Sequence, residues 1–176
     1  MPITIELPDL ASQTSFNLAR WTQILADAEL ARLPYRIETD QHGNLLMSPP
    51  PAPLHSQRQG HITGLLISLL HAGRVLPECP VSTAAGVKAV DVAWLAPERQ
   101  ENIPQIALFE RAPEICVEIL SPSNSVSEIT EKRALYFDAG AVEVWICNLD
   151  GSMSFFSPHQ QLFASSICPD FPARIP

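Results

Sequence analysis

A chain of 176 residues, 46% hydrophobic and 17% charged, is long enough to bury roughly 70% of its extended surface on folding, which excludes wholesale disorder. Its formal net charge of −8 excludes broad, nonspecific attraction to polyphosphate, so a nucleic-acid partner has to be met by local positive charge or by a metal. The four cysteines, Cys79, Cys116, Cys147 and Cys168, form no Cys-x-x-Cys pair and suggest no disulfide framework, and the 17 prolines imply many stiff loops.

The amino terminus, MPITIELPDL, lacks a basic stretch ahead of a long apolar run, and no window reaches the roughly 18 consecutive apolar residues of a membrane span. A reducing cytoplasm is the expected compartment, with no membrane partner. Leu18, Trp21, Ile24 and Leu25 recur at helical spacing and predict an amphipathic helix from Asn17 to about Leu30. PYRIETD and NLLMS flank the turn-prone Gln41-His42-Gly43 and read as a β-hairpin that Pro49-Pro50-Pro51 ends.

A second helix is expected from Pro53 to His71, with Ile62, Leu65, Leu66, Leu69 and Leu70 as its apolar stripe. GRVLPE and GVKAVDVAWL read as two or three strands, and residues 97–113 as a loop with one helical turn. Then come a buried-type strand at 114–120, a helix at 125–139 and a second buried-type strand at 142–148. Ser125 with Glu128 has the pattern of a capping box, and Gly140 stands where a helix end takes a left-handed residue. Strands joined through a helix run parallel. GSMSFFS supplies a hairpin return, and the tail from Cys168 reads as a surface strap. Residues 1–52 form an elaboration, 53–156 the core and 157–176 a tail of one α/β domain.

Glu118 stands in ICVEIL, apolar on both sides, and an ionised carboxylate there needs a cation, a proton or a metal. It is either half of a structural ion pair or a site residue. Asp91 in KAVDVAWL poses the same question. Two such acids on consecutive core strands are oxygen ligands suited to Mg²⁺ or Mn²⁺ if they converge. Lys132 lies on the inward stripe of its helix and either snorkels to water or Glu128, or meets Glu118. Glu38 in RIETD either points toward the same place or, as is commoner for a strand glutamate beside a hairpin, is a solvent-facing charge. His55 and His61 fall roughly 240° apart on their helix and cannot share a metal there, so each reads as a surface or capping histidine.

The order of helix, three strands, helix, strand resembles the core of the PD-(D/E)XK nuclease superfamily. RIETDQHGNLLMSPPPAPLH, KAVDVAW, EICVEILSPSNS and EKRALYFDAGAVEVWIC resemble the Uma-two family of restriction-type endonucleases over residues 17 to 156. The resemblance implies a restriction-endonuclease-like α-β-β-β-α-β core, a mixed sheet flanked by helices. It implies that Asp91 and Glu118 coordinate Mg²⁺ or Mn²⁺, with Glu38 as a further ligand, and that the substrate is DNA. The superfamily lysine, two residues after the second acid, falls on Leu120, and Lys132 matches the lysine that the family carries on the following helix. His55 matches a family position, and Val90 replaces the motif proline. Homodimerisation is expected from the need to cut two strands. The alternatives are a noncatalytic interaction module with a Glu118–Lys132 ion pair, and hydrolysis of another phosphate. A basic rim of Arg58, Arg74, Lys88, Lys132 and Arg133 around the acids would favour nucleic acid.

Overall fold

The computed structural model describes residues 9–99 and 101–176; residues 1–8 of the amino-terminal stretch read for a signal lie outside them. Helix α1 (Leu10–Ala26) is capped by Asp9, which accepts from the Ser12 N–H at 2.7 Å. It begins before the expected start because its first turns face the protein with polar groups. Buried Asn17 donates to Ser82 Oγ and to Thr83 O, both at 2.9 Å, and Gln13 donates to Asn17. Hydrophobic periodicity cannot register such a face. The helix also stops earlier, at Asp27, ahead of a short 3-10 turn at Leu30–Arg32.

The expected hairpin forms as β1 (Arg36–Thr39) and β2 (Leu45–Ser48), and α2 follows at Pro53–Leu70 with its proline in the first turn. Strands β3 (Arg74–Thr83), β4 (Gly86–Leu95), β5 (Ile115–Ile119), β6 (Glu143–Cys147), β7 (Met153–Phe156) and β8 (Gln161–Leu162) form one sheet in sequence order. Only β5 and β6 run parallel among these neighbours, joined through α3 (Val126–Asp138). Ser125 Oγ accepts from the Glu128 N–H at 3.1 Å at the start of α3. The mixed α/β architecture agrees with the expected core order, and among the described residues no helix is long and apolar enough to cross a membrane. Strand β3 is longer than expected, because Pro77 and Pro80 are tolerated on a sheet edge where no ladder bond is lost.

The sheet is packed on both faces. Ile62 and Leu66 of α2 meet Val92, Trp94, Val117, Ile119 and Trp145 on one face. On the other, Tyr136 of α3 meets Val90, Ala93, Cys116, Val144 and Ile146. Trp21 and Ile24 of α1 cover Val87 and Leu108. The tail is no surface strap: Cys168, Phe171 and Ile175 are buried in the α2-side core, with Phe171 against the Trp145 ring at 4.7 Å. Its anchor is Glu143, which accepts from Trp145 Nε1, Ser165 Oγ and the Ser166 N–H, each at 2.7 Å. All four cysteines are free and buried.

Candidate active site

Strand β4 changes phase at Asp91. Val92 and Trp94 face α2, whereas Val90 shares the α3-side cluster with Ala93 and Leu95, so alternation slips by one residue. The neighbouring β3 slips with it at Glu78, a non-glycine residue at φ 52. The β4–β5 ladder stops at Val92↔Val117, and its register continued by one step sets Asp91 opposite Glu118. Asp91 Oδ2 accepts from the Ile119 N–H at 2.6 Å, satisfying a backbone donor at the ladder end.

Three short-range spacings bring the rest of the site to these two acids. On β1, Arg36 and Glu38 lie two residues apart and share a strand face. Arg36 Nη1 donates to Asp91 Oδ1 at 2.6 Å, Nη2 donates to Ala89 O, and Nε faces Glu78 Oε2 at 3.1 Å, off the line of a hydrogen bond. Glu38 Oε1 accepts from the Ala89 N–H at 3.0 Å and from Lys132 Nζ at 3.1 Å. Gly86 lets the hairpin dock this closely, since a Cβ there would collide with the Thr39 and Asp40 carbonyls.

On α2, His55 and Gln59 are four residues apart on one face. His55 Nε2 lies 3.3 Å from Asp91 Oδ2, and Gln59 Nε2 donates to Asp91 O at 2.8 Å and Glu78 Oε1 at 2.7 Å. On α3, Lys132 and Tyr136 repeat that spacing. The Tyr136 hydroxyl donates to Glu118 Oε1 at 2.6 Å, and Lys132 Nζ to Glu118 Oε2 at 3.3 Å.

The electrostatics follow from burial and partners. Desolvation pushes the Asp91 carboxyl up, but the His55 hydrogen bond and the Arg36 charge outweigh it and hold Asp91 below its ordinary value. Glu118 goes the other way: burial pushes it up to about 7, against the pull of Lys132. Lys132 is desolvated too, yet Glu118 and Glu38 raise its pKa and keep it a cation. The hydrogen bond to Asp91 raises that of His55.

The structure thus brings Asp91, Glu118, Lys132 and Glu38 into one network. Glu38 is not the solvent-facing charge its setting suggested, and Lys132 meets Glu118 and Glu38 rather than Glu128. His55 is half-buried on Asp91 rather than a surface or capping residue, while His61 is exposed. Arg36, Gln59 and Glu78 were not anticipated; the i, i+2 and i, i+4 relations to Glu38 and His55 were the available signal. The basic rim does not form. Arg58 is buried and donates to Asn148 O at 3.0 Å and Leu149 O at 2.9 Å, while Arg74 holds the Arg99 and Glu101 carbonyls. Lys88 donates to Thr39 O at 3.0 Å, and Arg133 lies over the Phe156 ring at 4.0 Å. Leu120 packs among the α3-side residues.

Among the described residues no three His, Cys, Asp or Glu side chains are placed to hold a metal ion. Two nearly buried carboxylates at the end of the β4–β5 ladder are nevertheless the donor type that suits Mg²⁺, which is ordinarily held by one or two protein carboxylates with waters and substrate oxygens completing its shell.

No curated protein matches the chain. A solved structure, titled as a putative nuclease belonging to DUF820 from Anabaena variabilis, superposes with a TM-score of 0.67 at 18% identity, covering 88% of this chain and 93% of that one. This likeness carries the fold. The Uma2 family, described as "Putative restriction endonuclease", matches residues 27–163. That match includes every residue of the Asp91–Glu118 network, and the chain belongs to the Uma2 family.

Proposed function

We propose that the protein is a metal-dependent endonuclease that hydrolyses phosphodiester bonds of DNA. In this reading Asp91 and Glu118 hold Mg²⁺ or Mn²⁺ and Lys132 assists at the phosphate, while Glu38, which accepts from the Ala89 N–H and from Lys132, becomes a further ligand only by moving from where it stands. The observation that carries it is a network of nearly buried acids at the end of the β4–β5 ladder, with Asp91 accepting from the Ile119 N–H and an ammonium shared between Glu118 and Glu38. A bound divalent ion supplies water activation and neutralises charge on the phosphate.

The chain's own groups set the geometry. His55 and the Ile119 N–H fix one oxygen of Asp91, and Tyr136 fixes one oxygen of Glu118. Lys132 brings positive charge from α3 to the region that Leu120, just past the end of β5, cannot serve. Two copies acting on a duplex would address both strands, so a homodimer is part of the proposal and sedimentation equilibrium reads it directly. Calorimetry with Mn²⁺ tests the metal centre: wild type binds, and Asp91→Ala with Glu118→Ala does not.

A second reading, a noncatalytic interaction module, is favoured by one observation. Arg36 and Lys132 already neutralise the acids, and Arg58 and Arg74 are taken up by main-chain carbonyls instead of forming a basic rim. Absence of metal binding by the wild type at millimolar Mn²⁺ selects it.

A further inference from the structure

We infer that Arg36 is a displaceable counter-ion of this site, holding Asp91 in the metal-free protein and releasing it to a divalent cation; the inference rests on the proposed metal centre. The two oxygens of Asp91 are not equivalent. Oδ2 is committed to the Ile119 N–H at 2.6 Å, a main-chain donor fixed by the sheet, with His55 beside it. Oδ1 has Arg36 Nη1 at 2.6 Å. Oδ2 already has two partners on its two lone pairs, so a cation that takes Asp91 without breaking the sheet's own bond meets Oδ1, beside the Arg36 charge.

Arg36 is also the partner able to leave. It comes from the separate hairpin rather than from the six-stranded sheet, and its side chain is 22% exposed, against 1% for Asp91. Its second acid, Glu78, has a side chain 45% exposed and lies 3.1 Å from Nε. Both residues line a cavity of about 380 Å³ that Trp21, Ile24 and Tyr35 also border, so a guanidinium that lets go of Asp91 has space and a remaining carboxylate. Gln59 steadies Glu78 from α2. Like charges on one carboxylate oppose each other, so guanidinium and metal compete for Asp91.

The test is Mn²⁺ calorimetry and thermal melting of wild type, Arg36→Met and Arg36→Lys, with near-ultraviolet circular dichroism to confirm folding. Arg36→Met is expected to bind Mn²⁺ at least about tenfold more tightly, as removing a neighbouring unit charge shifts such equilibria by one or more decades. It is expected to melt lower than wild type without metal and to recover most of that difference at saturating Mn²⁺. Arg36→Lys, which keeps a charge but loses the fork, falls between, and decides in the same way if Arg36→Met does not fold. Binding by Arg36→Met alone, with none by wild type, overturns the inference, because Arg36 is then a fixed partner of Asp91 that a cation does not displace. Unchanged or weaker binding by the folded variants, beside a wild type that binds, overturns the inference and leaves the metal centre standing. No binding by any of the three overturns both.

Discussion

The Tyr136 hydroxyl donates to Glu118 Oε1 at 2.6 Å, one helical turn along α3 from Lys132, which holds Oε2. Both partners are buried, so the bond has no water to replace it. Tyr136→Phe is expected to cost about 1–3 kcal/mol of stability by stranding a buried acceptor. It should also move the Glu118 titration further up, because the hydroxyl favours the charged form. Urea unfolding reads the first effect, and carboxyl chemical shifts read the second. A stability change within a few tenths of a kcal/mol would mean that the bond is not made in solution.

Stability should carry the signature of that raised carboxyl. Between its ordinary value of 4.5 and about 7, folded Glu118 binds more protons than the unfolded chain. Its contribution to unfolding free energy therefore falls as pH rises through that window. Asp91 acts in the opposite sense, its stabilisation present above 3.8 and lost as pH falls through its lowered folded value. His55, raised by Asp91, contributes below 6.5 and loses its contribution as pH climbs through its folded value. Glu118→Gln is expected to flatten the decline between pH 4.5 and 7 and leave the acid limb in place. Parallel unfolding curves for variant and wild type across that window would contradict the assignment.

Arg58 ties α2 to the turn after β6, through Asn148 O and Leu149 O, and reaches the tail at Pro176 O, 3.4 Å away. Arg58→Met removes these donors from a buried position; the Asn148 carbonyl keeps the Gly151 N–H at 2.9 Å, and the exposed Leu149 and Pro176 carbonyls turn to water. A loss of about 1–3 kcal/mol is expected, with faster proteolytic cleavage in residues 157–176. An unchanged cleavage rate would show that Glu143 alone holds the tail.

The core was readable in the sequence because its apolar periods are clean. The stripe of α2, the capped α3 and the apolar runs of β5 and β6 each obey one period, and each element appears within a residue or two of expectation. What escaped was polar or long-range. The first turns of α1 bury Gln13 and Asn17, which no hydrophobic pattern reveals, and β3 runs through prolines that only an edge strand tolerates. Around the acids, Glu118 was visible because a carboxylate among Ile, Val and Leu is conspicuous. Arg36 was not, because its partner lies across 55 residues and its own strand is exposed on paper. The shift of phase at Asp91 and Glu78 has no mark in the local sequence. That shift brings one acid to His55 and Gln59 of α2 while the other stays with Lys132 and Tyr136 of α3.

The most direct measurement is cleavage of supercoiled plasmid with Mg²⁺ or Mn²⁺ by wild type, Asp91→Asn and Glu118→Gln, each shown by melting to be folded. The expected result is nicked and linear DNA from wild type, dependent on added metal and abolished by chelator, with at least about a hundredfold loss in each variant, as follows when a group central to transition-state charge is removed. Equal cutting by wild type and both variants, or none by any protein under conditions where wild type binds metal, would contradict the account.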